Sequence, residues 1–192
     1  MKRRSFREIL DDRRDLLDPD RYEAVVGRIA RTLIAAFSAG RKVLWFGNGG
    51  SAADAQHLAA EFSGRFRHER RALPSEALSV NTSALTAISN DYGYAEVFAR
   101  QIEAFAQPGD VVVGITTSGN SPNVVRGLEE ANRIGATTIA FTGNGGGKVA
   151  EVADIVLVGP DGHSGLVQEV HITLGHVVCE LVDQALLASA EE

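Results

Sequence analysis

The sequence predicts an α/β domain built on a doubly wound, five-stranded parallel sheet flanked by helices. Three observations carry this reading. Five short, nearly continuous apolar runs follow Gly40, at 43–46, 77–80, 111–115, 137–141 and 155–158. Strands apolar on both faces are what a parallel sheet covered by helices requires. Helical stretches alternate with the runs, and each run gives way to glycine or hydroxyl residues, placed where ligands bind in such sheets, beyond the carboxyl ends of the strands.

The elements follow in order. Residues 3–39 read as helical, because Phe6, Ile9, Leu10, Leu16, Leu17, Tyr22, Val25, Val26, Ile29, Leu33, Ile34 and Phe37 mostly recur three or four apart. Asp18-Pro19-Asp20 breaks this stretch into two helices, with Asp18 or Asp20 available as a cap. Between the strands lie helical stretches at 52–66, 83–105 (interrupted), 122–134 and 146–152, and a last helix spans 166–188. No linker, repeat or low-complexity tract appears. The expectation is one domain over 1–192, with a helical segment at 1–40 and the α/β core at 41–192.

Composition narrows the function classes. The chain has 192 residues, long enough for a full core without staples, and is 44% hydrophobic and 23% charged. A net charge of −6 argues against a nucleic-acid binder driven by phosphate neutralisation, but leaves a small anionic substrate open. The single cysteine, Cys179, lies in an apolar helical run and reads as a buried hydrophobe. The basic start at Met1-Lys2-Arg3-Arg4 leads into charged residues, with no apolar signal core behind it and no run of membrane-spanning length. The expectation is a cytoplasmic protein with no membrane partner.

The loops after the strands hold the chemistry. Gly47-Asn48-Gly49-Gly50-Ser51 follows the first strand and leads into a helix. It fits an anion site at a helix N-terminus, and equally a tight turn with Ser51 as N-cap. It is no dinucleotide fingerprint, since the third glycine would fall at Ala52. Thr116-Thr117-Ser118-Gly119-Asn120-Ser121-Pro122 follows the third strand. Pro122 suits the first helical position and Ser121 the cap, which leaves Thr116, Thr117 and Ser118 for a phosphate monoester. Gly143-Asn144-Gly145-Gly146-Gly147-Lys148 fails the Walker spacing and reads as a flexible turn with Lys148 solvated.

Two helices add titratable groups. His57 and Glu61 stand four apart on one face, as a metal pair, an acid–base pair or a plain hydrogen-bonded pair. The last helix sets Gln168, Glu169, His171 and His176 among apolar residues, and such groups need partners if buried.

Four segments together resemble one family. FGNGGSAADAQHLAAEFSGRF at 46–66, NTSALTAISNDYGYAEVFARQ at 81–101, GDVVVGITTSGNSPNVV at 109–125 and QEVHITLGHVVCELVD at 168–183 are similar to the phosphoheptose isomerases. These sugar isomerase (SIS) domain proteins interconvert sedoheptulose 7-phosphate and D-glycero-D-manno-heptose 7-phosphate. The resemblance implies a flavodoxin-like sheet, a homotetramer with sites between subunits, and one zinc ion per subunit. By position it implies zinc ligands at His57, Glu61, Gln168 and His176, with Glu61 and His176 as base and acid of an enediolate mechanism. It implies substrate contacts at Asn48, Gly49, Gly50, Ser51, Glu61, Asn90, Asp91, Thr116, Thr117, Ser118, Ser121 and Gln168. The implied pathway is heptose supply for lipopolysaccharide or another glycoconjugate.

Two features stand against a full transfer. Gln168 and His176 lie about 12 Å apart along a straight helix and about 80° apart around it. Either that helix is distorted near Gln168, or the two groups come from different subunits. Many family members also carry arginine where this chain has Leu166, with His163 the nearest substitute, which keeps another phosphosugar open as substrate. The rival of another class is a non-catalytic SIS relative that binds the bacterial replication initiator. The retained His57, Glu61, Gln168 and His176 count against it.

Overall fold

A computed structural model, describing residues 3–188, arranges five parallel strands in the order β2-β1-β3-β4-β5. They are β1 (Val43–Gly47), β2 (Ser75–Ala77), β3 (Val111–Thr116), β4 (Thr137–Thr142) and β5 (Ile155–Val158). The helices are α1 (Phe6–Asp11), α2 (Pro19–Ser38), α3 (Gly50–Ser63), α4 (Thr82–Tyr92), α5 (Ala99–Phe105), α6 (Pro122–Ile134), α7 (Val149–Val152) and α8 (Ser164–Ala188). The expected doubly wound sheet is borne out. Its order places the topological switch point between β1 and β3, where such sheets bind ligands.

Side-chain alternation assigns the helices to faces. Val43 and Trp45 of β1 point to one face with Val111, Val113 and Phe141, and there meet α2, α3 and α8 through Leu33, Phe37, Leu58, Phe62, Leu174 and Val178. Leu44 and Phe46 point to the other, with Val112 and Ala140, and meet α5 and α6 through Phe98, Ile102, Val124 and Leu128. Each such side chain, fully buried, is worth roughly 1.5–3 kcal/mol. Both faces demand apolar residues, so the runs lack the polar alternation of a half-exposed strand.

Several boundaries move. The second strand is Ser75–Ala77 rather than 77–80, because after Leu78 N–H reaches Trp45 O the chain turns, with Val80 N–H donating to Ala77 O. Edge-strand residues Ser75 and Glu76 are polar, so the apolar signal began two residues late. Ser51 is not the cap of α3: Gly49 is, without a side-chain bond, and Ser51 is buried. Asp18 caps α2 by accepting from Asp20 N. The helix α1 exists but buries nothing, leaving Phe6, Ile9 and Leu10 exposed. Met1, Lys2 and residues 189–192 lie outside the described residues. By length and composition α8 is apolar enough to cross a membrane, against the sequence expectation. Its role here is that of a core helix, packed on α2 and α3 and carrying buried His171 and Asp183.

Those two buried groups tie α8 down. Asp183, with a side chain 0% exposed, accepts from Arg70 Nε at 2.7 Å, and the Arg70 side chain is 5% exposed. The same guanidinium donates to Glu61 O and Phe62 O at the C-terminal end of α3, the latter also accepting from Leu73 N, and to Gly64 O and Arg71 O. One side chain thus caps α3 and fastens it to α8. His171 is fully buried, with Nε2 at 2.9 Å from Thr142 O.

Two outcomes follow for stability. Asp183→Ala strands a buried guanidinium and should lower unfolding free energy in urea by about 3–5 kcal/mol. Burial holds the His171 imidazole neutral, its pKa pushed down from 6.5 to about 4. The unfolded chain therefore takes up this proton first as pH falls. The group's contribution is complete above about 6.5 and declines between 6.5 and 4, by up to roughly 3 kcal/mol. Urea midpoints measured across this range should fall more steeply for the native chain than for a folded His171→Gln variant.

Candidate active site

The loops after β1 and β3 meet across the switch point. Asn48 and Asn123 exchange carboxamide hydrogen bonds of 2.8 and 2.9 Å, and Tyr94 Oη donates to Asn48 Oδ1 at 2.9 Å. The N-termini of α3 and α6 open at this clasp, and neither has a side-chain cap. At α3 the capping position is Gly49, which has no side chain. At α6 it is Ser121, whose Oγ lies 3.0 Å from Thr116 Oγ1 instead. Two uncapped helix N-termini beside hydroxyls are chemically suited to an anion, because their N–H groups and dipoles favour negative charge. Thr117 Oγ1 donates to Ser164 Oγ, and Ser118 Oγ accepts from Asn120 N.

The glycine-rich loop after β4 is a buttress for this site, not the free turn expected. Gly147 packs on Ser118 and Gly119, Val149 N donates to Gly119 O, and Lys148 N donates to Asn120 Oδ1. Asn144 Nδ2 reaches Thr117 O. A Cβ on Gly119, whose φ is +68°, would stand 1.9 Å from Gly146 O. Lys148 is exposed, as expected.

Along α3 the site changes character. His57 Nε2 lies 3.0 Å from Glu61 Oε1 and 3.2 Å from His176 Nε2 on α8. One His57 nitrogen faces both partners, and a single N–H cannot serve both. The spacing fits a shared cation: four ligands at 2.0–2.1 Å in a tetrahedron lie about 3.3 Å apart. Ligand atoms of the three residues all fall within 4.8 Å of one another. Burial, and then the neighbouring His57, hold the His176 imidazole below its ordinary pKa, so it is neutral and able to coordinate. Phe66 stacks on His176, with ring centroids 5.4 Å apart and planes at 17°, while the His57 ring meets its edge.

The remaining expected site residues divide. Gln168 is brought to the site but at the opposite end from His57: its carboxamide lies against Gly50, 2.5 Å from where a Cβ would be. The helix α8 runs without a break from Ser164 to Ala188, with Gln168 and His176 both on it. Asn90 and Asp91, exposed at the end of α4, bond to each other. Leu166 is 8% exposed, so its side chain is part of the interior rather than a stand-in for arginine. His163 is exposed beside Ser164, the partner of Thr117.

Sequence reasoning missed Asn123, Tyr94, Phe66, Arg70 and Asp54. Asn123 and Tyr94 carry no motif of their own. The pattern of His57 and Glu61 on one stripe of α3 also contains Asp54, and that spacing was the available signal. A groove of about 1030 Å³ lies elsewhere, between α2 and α8, lined by Leu17, Tyr22, Val26, Leu174, Val177 and Leu181 among others.

Comparison with known proteins agrees with the geometry. Residues 19–143 match the model of the SIS domain family. The chain is 57% identical over 163 residues to the phosphoheptose isomerase of Aquifex aeolicus, covering 85% of each. It is 47% identical over 177 residues to that of Clostridium acetobutylicum, covering 92% of this chain and 90% of the relative. Among solved structures, phosphoheptose isomerase from Neisseria gonorrhoeae superposes with a TM-score of 0.79 at 40% identity, covering 93% of this chain and 92% of that one.

Gly119→Ala and Gly50→Ala should separate the two ends of the site. At Gly119 the methyl meets backbone in a left-handed conformation, and the expected loss is about 2 kcal/mol or more of unfolding free energy in urea. At Gly50 it meets only the movable end of Gln168, and stability should stay within about 1 kcal/mol of the native chain.

Proposed function

The chain belongs to the SIS domain family, among the phosphoheptose isomerases, and on that premise we propose that it converts sedoheptulose 7-phosphate to D-glycero-D-manno-heptose 7-phosphate through an enediolate, with zinc. The observation that carries this reading is one helix joining an anion site to an acid–base and ligand cluster. Gly50 and His57 are separated by about 10 Å of helix rise. An extended heptulose 7-phosphate spans about 9 Å from carbonyl carbon to phosphorus, given bonds of about 1.5 Å. The phosphate then sits at the N-termini of α3 and α6, against Gly49, Gly50, Ser51, Thr116, Thr117, Ser118 and Ser121, and the carbonyl reaches His57, Glu61 and His176. Asn48 contributes chiefly by shaping the loop, since its carboxamide is engaged by Asn123 and Tyr94.

Glu61 is the base we assign: with Oε1 turned to His57, Oε2 takes the proton from the carbon beside the carbonyl and returns it to the neighbouring carbon. His176, neutral and held between Phe66 and His57, moves the proton between the two oxygens. His57, Glu61 and His176 would hold the zinc, with Gln168 as the fourth ligand by family position. Zinc bound there supplies Lewis-acid polarisation of the carbonyl. Since the Gln168 carboxamide lies against Gly50, away from His57, the fourth ligand is the one most readily supplied by another subunit.

Self-association into a tetramer is part of the proposal. The groove between α2 and α8, with exposed Leu17, Val177 and Leu181, and the exposed apolar side chains of α1 are surface that a second copy would cover. We assign the enzyme to the cytoplasm and its product to heptose supply for lipopolysaccharide or a related glycoconjugate.

Proton NMR of sedoheptulose 7-phosphate with zinc-loaded protein in heavy water tests the reading. The expected result is an aldose anomeric signal with deuterium at carbon 2. His57→Ala and Glu61→Gln should each lower turnover by at least about 100-fold, the range for a positioned acid or base. Near-normal turnover in Glu61→Gln would remove Glu61 as the base, and no conversion by folded, zinc-loaded protein would remove the substrate.

A further inference from the structure

Gly50, Asp54, His57 and Glu61 recur at three- and four-residue spacing and so form one stripe along α3. The stripe faces α8 at two points of contact: Gly50 meets Gln168, and His57 meets His176. Asp54 lies between them, about 6 Å of helix rise beyond Gly50 and about 4.5 Å before His57. Its Oδ2 is buried and has no hydrogen-bond partner. Buried polar atoms in native proteins are nearly always satisfied, since an unmade bond forfeits the water that was given up. Burial pushes the Asp54 carboxyl up to about 6, against the opposing pull of His57, so no neighbour has replaced the lost hydration. An unsatisfied acceptor on the stripe joining the anion site to the ligand cluster is placed to receive a donor from a molecule lying along that stripe.

We propose that Asp54 is a specificity-determining residue whose carboxylate accepts hydrogen bonds from hydroxyl groups in the middle of the substrate's polyol chain. The inference rests on the reading of the site as a heptulose-phosphate isomerase. With phosphate at the N-terminus of α3 and the carbonyl at His57 and Glu61, the mid-chain hydroxyls pass at the level of Asp54. Bonds from a hydroxyl to an ionised carboxylate are short and about twice as strong as neutral ones. A five-carbon ketose phosphate is about 2.5 Å shorter between carbonyl and phosphorus. It cannot reach both ends of the site while presenting hydroxyls to Asp54, so this carboxylate selects for chain length.

The test compares native enzyme, Asp54→Asn and Asp54→Ala as full-length, zinc-loaded protein with sedoheptulose 7-phosphate. Zinc affinity (zinc alone, against a competing chelator) and thermal unfolding are measured in parallel. The expected result is a KM raised about 10–100-fold in Asp54→Ala, with a smaller rise in Asp54→Asn and kcat changed less than KM. Zinc affinity should match the native protein, and the unfolding temperature should be equal or higher, because a buried acceptor without a partner is removed. A folded variant with native KM, or one whose KM rises only in step with lost zinc affinity, would overturn the inference. A native enzyme that ignores heptulose phosphate but converts another phosphosugar would overturn the substrate reading, and this inference with it; the first two outcomes leave that reading intact.

Discussion

Arg70 is the point on which the geometry of the site turns. The three clustered groups come from two helices, His57 and Glu61 from α3 and His176 from α8, and a metal or a proton relay tolerates only a fraction of an ångström of slip between them. Arg70 holds both helices with one planar fork: Nε on Asp183 of α8, Nη2 on Glu61 O, and Nη1 on Phe62 O at the end of α3. A buried ion pair gains little in stability over an apolar pair of the same shape, since desolvation opposes the Coulombic attraction. What it supplies here is placement, because the guanidinium cannot satisfy Asp183 and the α3 carbonyls together unless the two helices sit at one separation. The loop that delivers Arg70 also delivers Phe66 to the ring of His176.

At the opposite end of α3 the constraint is backbone rather than charge. Three loops converge beyond the carboxyl ends of β1, β3 and β4, and two of them are held by contacts only glycine permits. Gly119 takes a φ of +68° and lies against Gly146 and Gly147 with no room for a side chain. The hydroxyl loop is thereby braced through its backbone, while its hydroxyls bond within the loop and to Ser164 and Ser121 caps nothing. The two ends of the site thus offer different physics, dipoles and N–H groups at one and imidazoles with a carboxylate at the other, which the proposed function assigns to an anion and to a carbonyl. They are joined by about two turns of one helix, with Asp54 between them.

Much of the fold was legible because burial on both faces of a parallel sheet leaves a strong signal. Runs such as 111–115 and 137–141 sit within a residue of the observed strands. The edge strand escaped, since Ser75 is half-buried and Glu76 exposed, and neither carries such a signal. The helix α1 was legible as a helix but not as an exposed one: the spacing of Phe6, Ile9 and Leu10 reports an apolar face, and not whether the chain itself covers it. Of the site, His57 with Glu61 and the hydroxyl loop were readable from local spacing. Asn123, Phe66 and Arg70 were not, because each acts through a partner distant in sequence.

The sequence by itself determined the strand–helix alternation, the loops that bear the chemistry and the i, i+4 pair on α3, because these depend on periodicity and on neighbours within a turn. Its four matching segments also determined the family. Only the tertiary structure decided that His176 joins His57 while Gln168 goes to Gly50, that Leu166 belongs to the interior, and that the glycine-rich loop braces the hydroxyl loop. Those outcomes rest on how α8 lies along α3 and how β4 lies beside β3. Contacts between elements far apart in the chain are set by packing and by a few buried polar bonds, which leave no period in the sequence to read.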